Sequence, residues 1–147
     1  MLERILKRVN EITCFYHTCD PFELCEEMGI IAVALELPDS VNGIYTILHE
    51  QNTIIINSDL PYDKRRVICA HELGHVMLHN GLNRMYLERG TNYCLDAFET
   101  EADTFAACLL IDDEKVRSLT QDGTVCVADI AALAKVPEQY VKLRYQI

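Results

Sequence analysis

The run His71-Glu72-Leu73-Gly74-His75 holds the side chains best suited to chemistry: two imidazoles four residues apart with a carboxylate beside the first. Successive residues on a helix rotate by about 100°, so the two rings lie about 40° apart and one turn along the axis. Both can then reach one Zn²⁺ at about 2.0–2.1 Å. Glu72 projects from the adjoining flank, able to touch a water on that cation without being a ligand. This is the H-E-x-x-H spacing of catalytic zinc sites, and in a chain of this length and ordinary composition chance produces it about once in 200 sequences. Val67, Ile68, Ala70, Leu73, Val76, Met77 and Leu78 cover nearly every side of the helical wheel. A helix apolar all round is a buried one, and polar groups inside it need partners, which metal ligation provides. Gly74 costs about 1 kcal/mol in a helix interior, so something should approach the backbone closely there.

A catalytic zinc wants three protein ligands and one open position. A third histidine six residues after His75 would complete a metzincin site, but Gly81 stands there. His79 has rotated about 80° from His71, which suits a place behind the ligands or at the helix end. The better source is the acidic stretch at 98–107, whose apolar face is made by Phe98, Ala102, Phe105, Ala106 and Leu109. Glu99 and Glu101 flank that face on opposite sides, each about 80° from its centre, with Asp103 further out. Periodicity leaves the two glutamates tied.

With 147 residues, half of them hydrophobic, the chain is enough for one domain with a real core, spanning residues 1–147. A formal net charge of −10 argues against direct nucleic-acid binding, which needs a basic face. The amphipathic start has no signal-peptide core and no apolar run is long enough to span a bilayer, so a cytoplasmic protein without membrane attachment is expected. The seven cysteines form no C-x-x-C pair and should be reduced in that compartment. Cys69, Cys108 and Cys126 read as core filler. The spacing of Cys14, Cys19 and Cys25 matches no common finger.

The elements that must position these groups follow from local pattern. Residues 2–14 have helical periodicity, and Asp20-Pro21 is a helix start that Gly29 ends. Residues 30–35 form a strand; 44–48 and 53–57 form an antiparallel hairpin. Pro61 opens the histidine helix, which ends near Asn80-Gly81. Residues 81–95 hold no period and read as a loop, followed by helices at 97–110, 112–119, 127–135 and 138–145. The expectation is an α+β domain: a small three-stranded, mainly antiparallel sheet packed on the histidine helix, with a helical C-terminal part.

His-Glu-Leu-Gly-His-x-x-Leu-His at 71–79, followed by Glu99-x-Glu101-Ala-Asp-x-Phe-Ala at 99–106, resembles the ImmA/IrrE family of zinc metallo-endopeptidases. Gly29-Ile30, Gly43-Ile-Tyr45 and Ile-Ile-Ile-Asn57 extend the resemblance, which runs from about residue 20 to 112 and more weakly to Val136-Pro137. It implies a compact gluzincin (zincin) fold. It also implies that the third ligand is the glutamate immediately before the Ala-Asn/Asp step, here Glu101, with Asp103 where asparagine is usual. Zn²⁺ held by His71, His75 and Glu101 would polarise a peptide carbonyl and activate water, with Glu72 as general base. Tyr45, His79, Tyr86 and Tyr93 are all candidates to stabilise the oxyanion. The resemblance further implies a protein substrate, a helix-turn-helix repressor of a phage-like or mobile element. Two other readings stand beside this one. One is a non-catalytic zinc-binding regulatory protein, its site closed by His79 or a cysteine. The other makes residues 128–145 a DNA-binding tail, although Asp129 and Glu138 nearly offset its basic residues Lys135, Lys142 and Arg144.

Overall fold

The computed structural model describes residues 1–79 and 92–147, with side chains from residue 95 onward in the second stretch. Helix α1 (Leu2–Tyr16) buries Ile5, Val9 and Ile12, one residue per turn along a single stripe. Helix α2 (Pro21–Glu27) starts where the sequence places it, the Asp20 carboxylate accepting from the Phe22 and Glu23 amides at 2.9 and 3.0 Å. Gly29 takes the left-handed conformation (φ 69°) that turns the chain into the sheet.

Strands β1 (Ile31–Leu35), β2 (Gly43–Leu48) and β3 (Gln51–Asn57) form a mixed sheet of order β1-β3-β2. β2 and β3 make the expected antiparallel hairpin, while β1 pairs with β3 in parallel. Only two residues make the hairpin turn: His49 and Glu50, both at positive φ (49° and 64°). That handedness matches the twist of the strands, so β3 begins at Gln51. Ile54 and Ile56 of the central strand are buried in the core, while Ile55 between them is half-buried beside Val33 of β1 and Ile44 of β2, both exposed. β1 and β2 are the edges of this sheet.

Helix α3 (Tyr62–His79) carries the histidines, and α4 (Asn92–Leu110) crosses it in the most extensive helix–helix contact among the described elements. A Cβ on Gly74 would lie 3.1 Å from both Cα and the carbonyl oxygen of Ala102 and 3.2 Å from the Phe105 Cβ. The close approach implied by Gly74 is therefore the backbone of α4. Residues 92–95 belong to α4, which starts five residues before the expected position; the rest of the expected loop, with Tyr86, lies outside the described residues.

Helices α5 (Asp113–Thr120), α6 (Val127–Ala134) and α7 (Glu138–Tyr145) complete the order. α7 buries Tyr140, Val141 and Arg144 against the domain, with the Arg144 guanidinium paired to Asp113. Arg144, one of the three tail cations, is thus paired within the domain. Cys69 and Cys108 are buried as expected, but Cys126 is exposed at the start of α6, where its amide donates to Asp129 at 2.9 Å. Cys14 and Cys19 are exposed, whereas Cys25 is buried 3.9 Å from Cys69. No described helix is long and apolar enough to cross a membrane.

Gly74→Ala should raise helix propensity by about 1 kcal/mol and still destabilise, because overpacking against backbone costs about 1–3 kcal/mol. Urea unfolding should show a net loss of about 1 kcal/mol; an unchanged or raised midpoint would mean that α3 and α4 are not in backbone contact.

Candidate metal centre

The rings of His71 and His75 leave the same side of α3 with their Nε2 atoms 3.2 Å apart. Facing them across the α3–α4 crossing is Glu99, one carboxylate oxygen 3.1 Å from Nε2 of His71 and the other 3.2 Å from Nε2 of His75. These three residues form the one group of metal-holding donors found among the described residues. Donors about 2.0–2.1 Å from a tetrahedral zinc are separated by about 3.3 Å. The Nε2–Nε2 spacing is that of one edge of such a tetrahedron, a Glu99 oxygen lies at a similar distance from each ring, and two imidazoles with a carboxylate suit zinc in type as well.

Glu101, the residue to which the resemblance assigns the third position, points elsewhere. Its Oε2 lies 2.7 Å from Nε2 of His79, and its other oxygen pairs with the Arg4 guanidinium on α1. The structure thus brings Glu99, not Glu101, to the histidine pair. The physical reason is the 200° rotation between residues two apart on a helix: if one faces α3, the other must face away towards its end. Asp103 supports the site from behind, Oδ1 sitting 2.8 Å from Nδ1 of His71 and accepting from the Tyr140 hydroxyl at 2.9 Å. Sequence reasoning set Asp103 aside and did not consider Tyr140. Asp103 was within reach of it, because Glu99 and Asp103 repeat on α4 the i, i+4 spacing of His71 and His75 on α3. Tyr140 arrives from a distant helix and leaves no local signal.

Burial works against charge on His71. The hydrogen bonds to Asp103 and Glu99 and the field of Glu72 overcome it, and the imidazole is raised to about 10. Glu99 is held well below the usual carboxylate range by its bonds to His71 and His75. Burial pushes the Glu72 carboxyl up against the pull of both histidines. Burial lowers His79 despite the bond to Glu101, so that ring stays neutral. Glu72 lies next to the start of β2: a Cβ on Gly43 would be 3.4 Å from its Oε1 and 2.4 Å from Cγ2 of Ile68. Among the oxyanion candidates, the Tyr45 hydroxyl donates to Asn52 at 2.8 Å and His79 is buried between His75 and Glu101. The side chain of Tyr93, like Tyr86, lies outside the described residues.

The sequence model of the Peptidase_M78 family, described as the IrrE N-terminal-like domain, matches residues 25–146, which takes in all of these groups except Arg4. The chain belongs to the ImmA/IrrE family. It is 32% identical over 143 residues to the protein named "Uncharacterized immunity region protein 2" of Bacillus phage phi105, covering 97% of this chain and 85% of that one. It is 28% identical over 114 residues to "Metallopeptidase ImmA" of Bacillus subtilis, covering 75% of this chain and 64% of the relative. Membership in this metallopeptidase family implies a divalent metal, and the donors present fit one.

In the metal-free protein His71 keeps its proton at neutral pH, and a cation must displace it. In this ImmA/IrrE member, apparent zinc affinity should therefore rise by about tenfold per pH unit from 7 to 9, as read by competition with a chelating dye. The bound proton also stabilises the metal-free fold. That contribution is complete below the unfolded value of 6.5 and is lost as pH climbs through about 10. Flat affinity across this range would mean that His71 is neutral before the metal arrives.

Proposed function

We propose that this protein is a zinc-dependent endopeptidase in which His71, His75 and Glu99 hold the metal and Glu72 is the general base. The observation that carries this reading is the meeting of His71, His75 and Glu99, a carboxylate oxygen 3.1 or 3.2 Å from each ring nitrogen, with the buried Glu72 carboxylate beside them. The cation, once bound, supplies Lewis acidity that polarises the scissile carbonyl and eases loss of a proton from water. Glu72 takes that proton and passes it to the leaving amine. Its burial-raised pKa moves it toward the neutral range, where one group can both accept and release a proton. Asp103 fixes the His71 ring from its Nδ1 side, so that Nε2 faces the donor cluster. Strand β2 lies at an edge of the sheet beside Glu72, and its first residue, Gly43, puts no side chain between an extended substrate there and that carboxylate.

The substrate we infer is a helix-turn-helix repressor in the cytoplasm, cleaved to release transcription of a phage-like element. Two names support this: a relative belongs to a phage immunity region, and another is a metallopeptidase. The alternative of a closed, purely regulatory zinc site needs His79 or a cysteine as fourth ligand. His79 lies behind the His75 ring and is bonded to Glu101, away from the donor cluster.

Zinc-loaded protein incubated with the repressor encoded nearest its gene should yield two fragments. Glu72→Gln should retain zinc while cleavage falls by at least about 100-fold. An intact repressor under inducing conditions, or a Gln variant that still cuts, would overturn the assignment.

A further inference from the structure

Behind the proposed ligands lies a second line of polar groups that the peptidase reading does not use. Nδ1 of His75 is 3.1 Å from Nδ1 of His79, whose Nε2 is 2.7 Å from Oε2 of Glu101. The Arg4 guanidinium holds the other Glu101 oxygen. His79 is only 1% exposed and its ring is tilted against Phe98 at 4.3 Å between centroids, so it has no freedom to seek water. Arg4 stands on α1, outside the residues matched by the family model.

The proton positions along this line follow from one requirement. If Nε2 of His75 offers its lone pair to a metal, its Nδ1 must carry the hydrogen. That hydrogen can go only to a bare Nδ1 on His79, so the His79 proton sits on Nε2 and is donated to Glu101. Glu101 is anionic against Arg4 and ends the line. Each group has a single role, and the bonds point in one direction from the ligand outward.

We propose that His79 and Glu101 are positioning residues for His75: they fix its tautomer and ring orientation, with Arg4 of α1 anchoring the outer end. The inference rests on the metal assignment made above for His71, His75 and Glu99. It gives Glu101 a role in the site while Glu99 takes the metal. It also makes α1, which contributes no ligand, part of what holds the metal centre in shape.

The test is zinc competition with a chelating dye, together with the visible absorption of the cobalt-loaded protein. His79→Leu fills the space but leaves His75 Nδ1–H without an acceptor, and affinity should fall by about 10–100-fold with an altered cobalt spectrum. His79→Gln can accept from His75 through its carbonyl and donate to Glu101 through its amide, and should recover most of the loss. Glu101→Leu should weaken binding too. The double variant His79→Leu with Glu101→Leu should be no worse than His79→Leu alone, because Glu101 acts through His79. Metal-free unfolding midpoints, measured alongside, separate this from a packing defect, which Gln would not rescue. Zinc affinity within about twofold of wild type in His79→Leu, or full additivity in the double variant, overturns the inference while leaving the metal assignment standing. A wild-type protein that takes up no zinc overturns both.

Discussion

The crossing of α3 over α4 at Gly74 is the constraint on which the site depends. Two helices bearing ordinary side chains sit 8–10 Å apart, and that distance is set by the side chains at the contact. Here Gly74 meets the backbone of Ala102 and the Cβ of the fully buried Phe105. The helices close to the separation at which a glutamate on one reaches imidazoles on the other. The glycine that weakens α3 as an isolated helix is therefore what allows Glu99 of α4 to meet the histidines of α3.

Close approach brings an electrostatic cost that the surroundings must offset. His75, His79 and Glu72 are buried, and Glu99 brings a carboxylate to the histidine pair. Unpaired groups of this kind would each be destabilising. The structure answers with a partner for each histidine: Asp103 and Glu99 for His71, Glu99 and His79 for His75, and Glu101 for His79. The acidic groups outweigh the basic ones around the rings, which raises His71 and prepares the cluster for a divalent cation. Polar pairing and metal affinity are here two consequences of one arrangement.

Much of this was legible in the chain itself because it is local. The i, i+4 histidines, the Asp20-Pro21 helix start, the hairpin and the glycine on α3 all announce themselves within a turn or two. The third member of the donor cluster was harder. On a wheel centred on the apolar residues of 98–109, Glu99 and Glu101 are equivalent, and only the placement of α3 distinguishes them. The pairing of Glu99 with Asp103 one turn on, matching His71 with His75, was the available clue, because a helix that supplies one ligand can brace another from the same face. Tyr140 and Arg4 had no such clue. They come from α7 and α1, 37 residues from Asp103 and 97 from Glu101, and their roles exist only once those helices dock. The parallel pairing of β1 with β3 was hidden for the same reason: it depends on which strand takes the centre.

A crystal grown with zinc and measured on both sides of the zinc absorption edge tests the account most directly. An anomalous peak bonded to Nε2 of His71, Nε2 of His75 and the Glu99 carboxylate, with Glu101 still on His79, is the predicted result. A peak ligated by Glu101 with Glu99 turned to solvent, or no peak between the two helices, would contradict it.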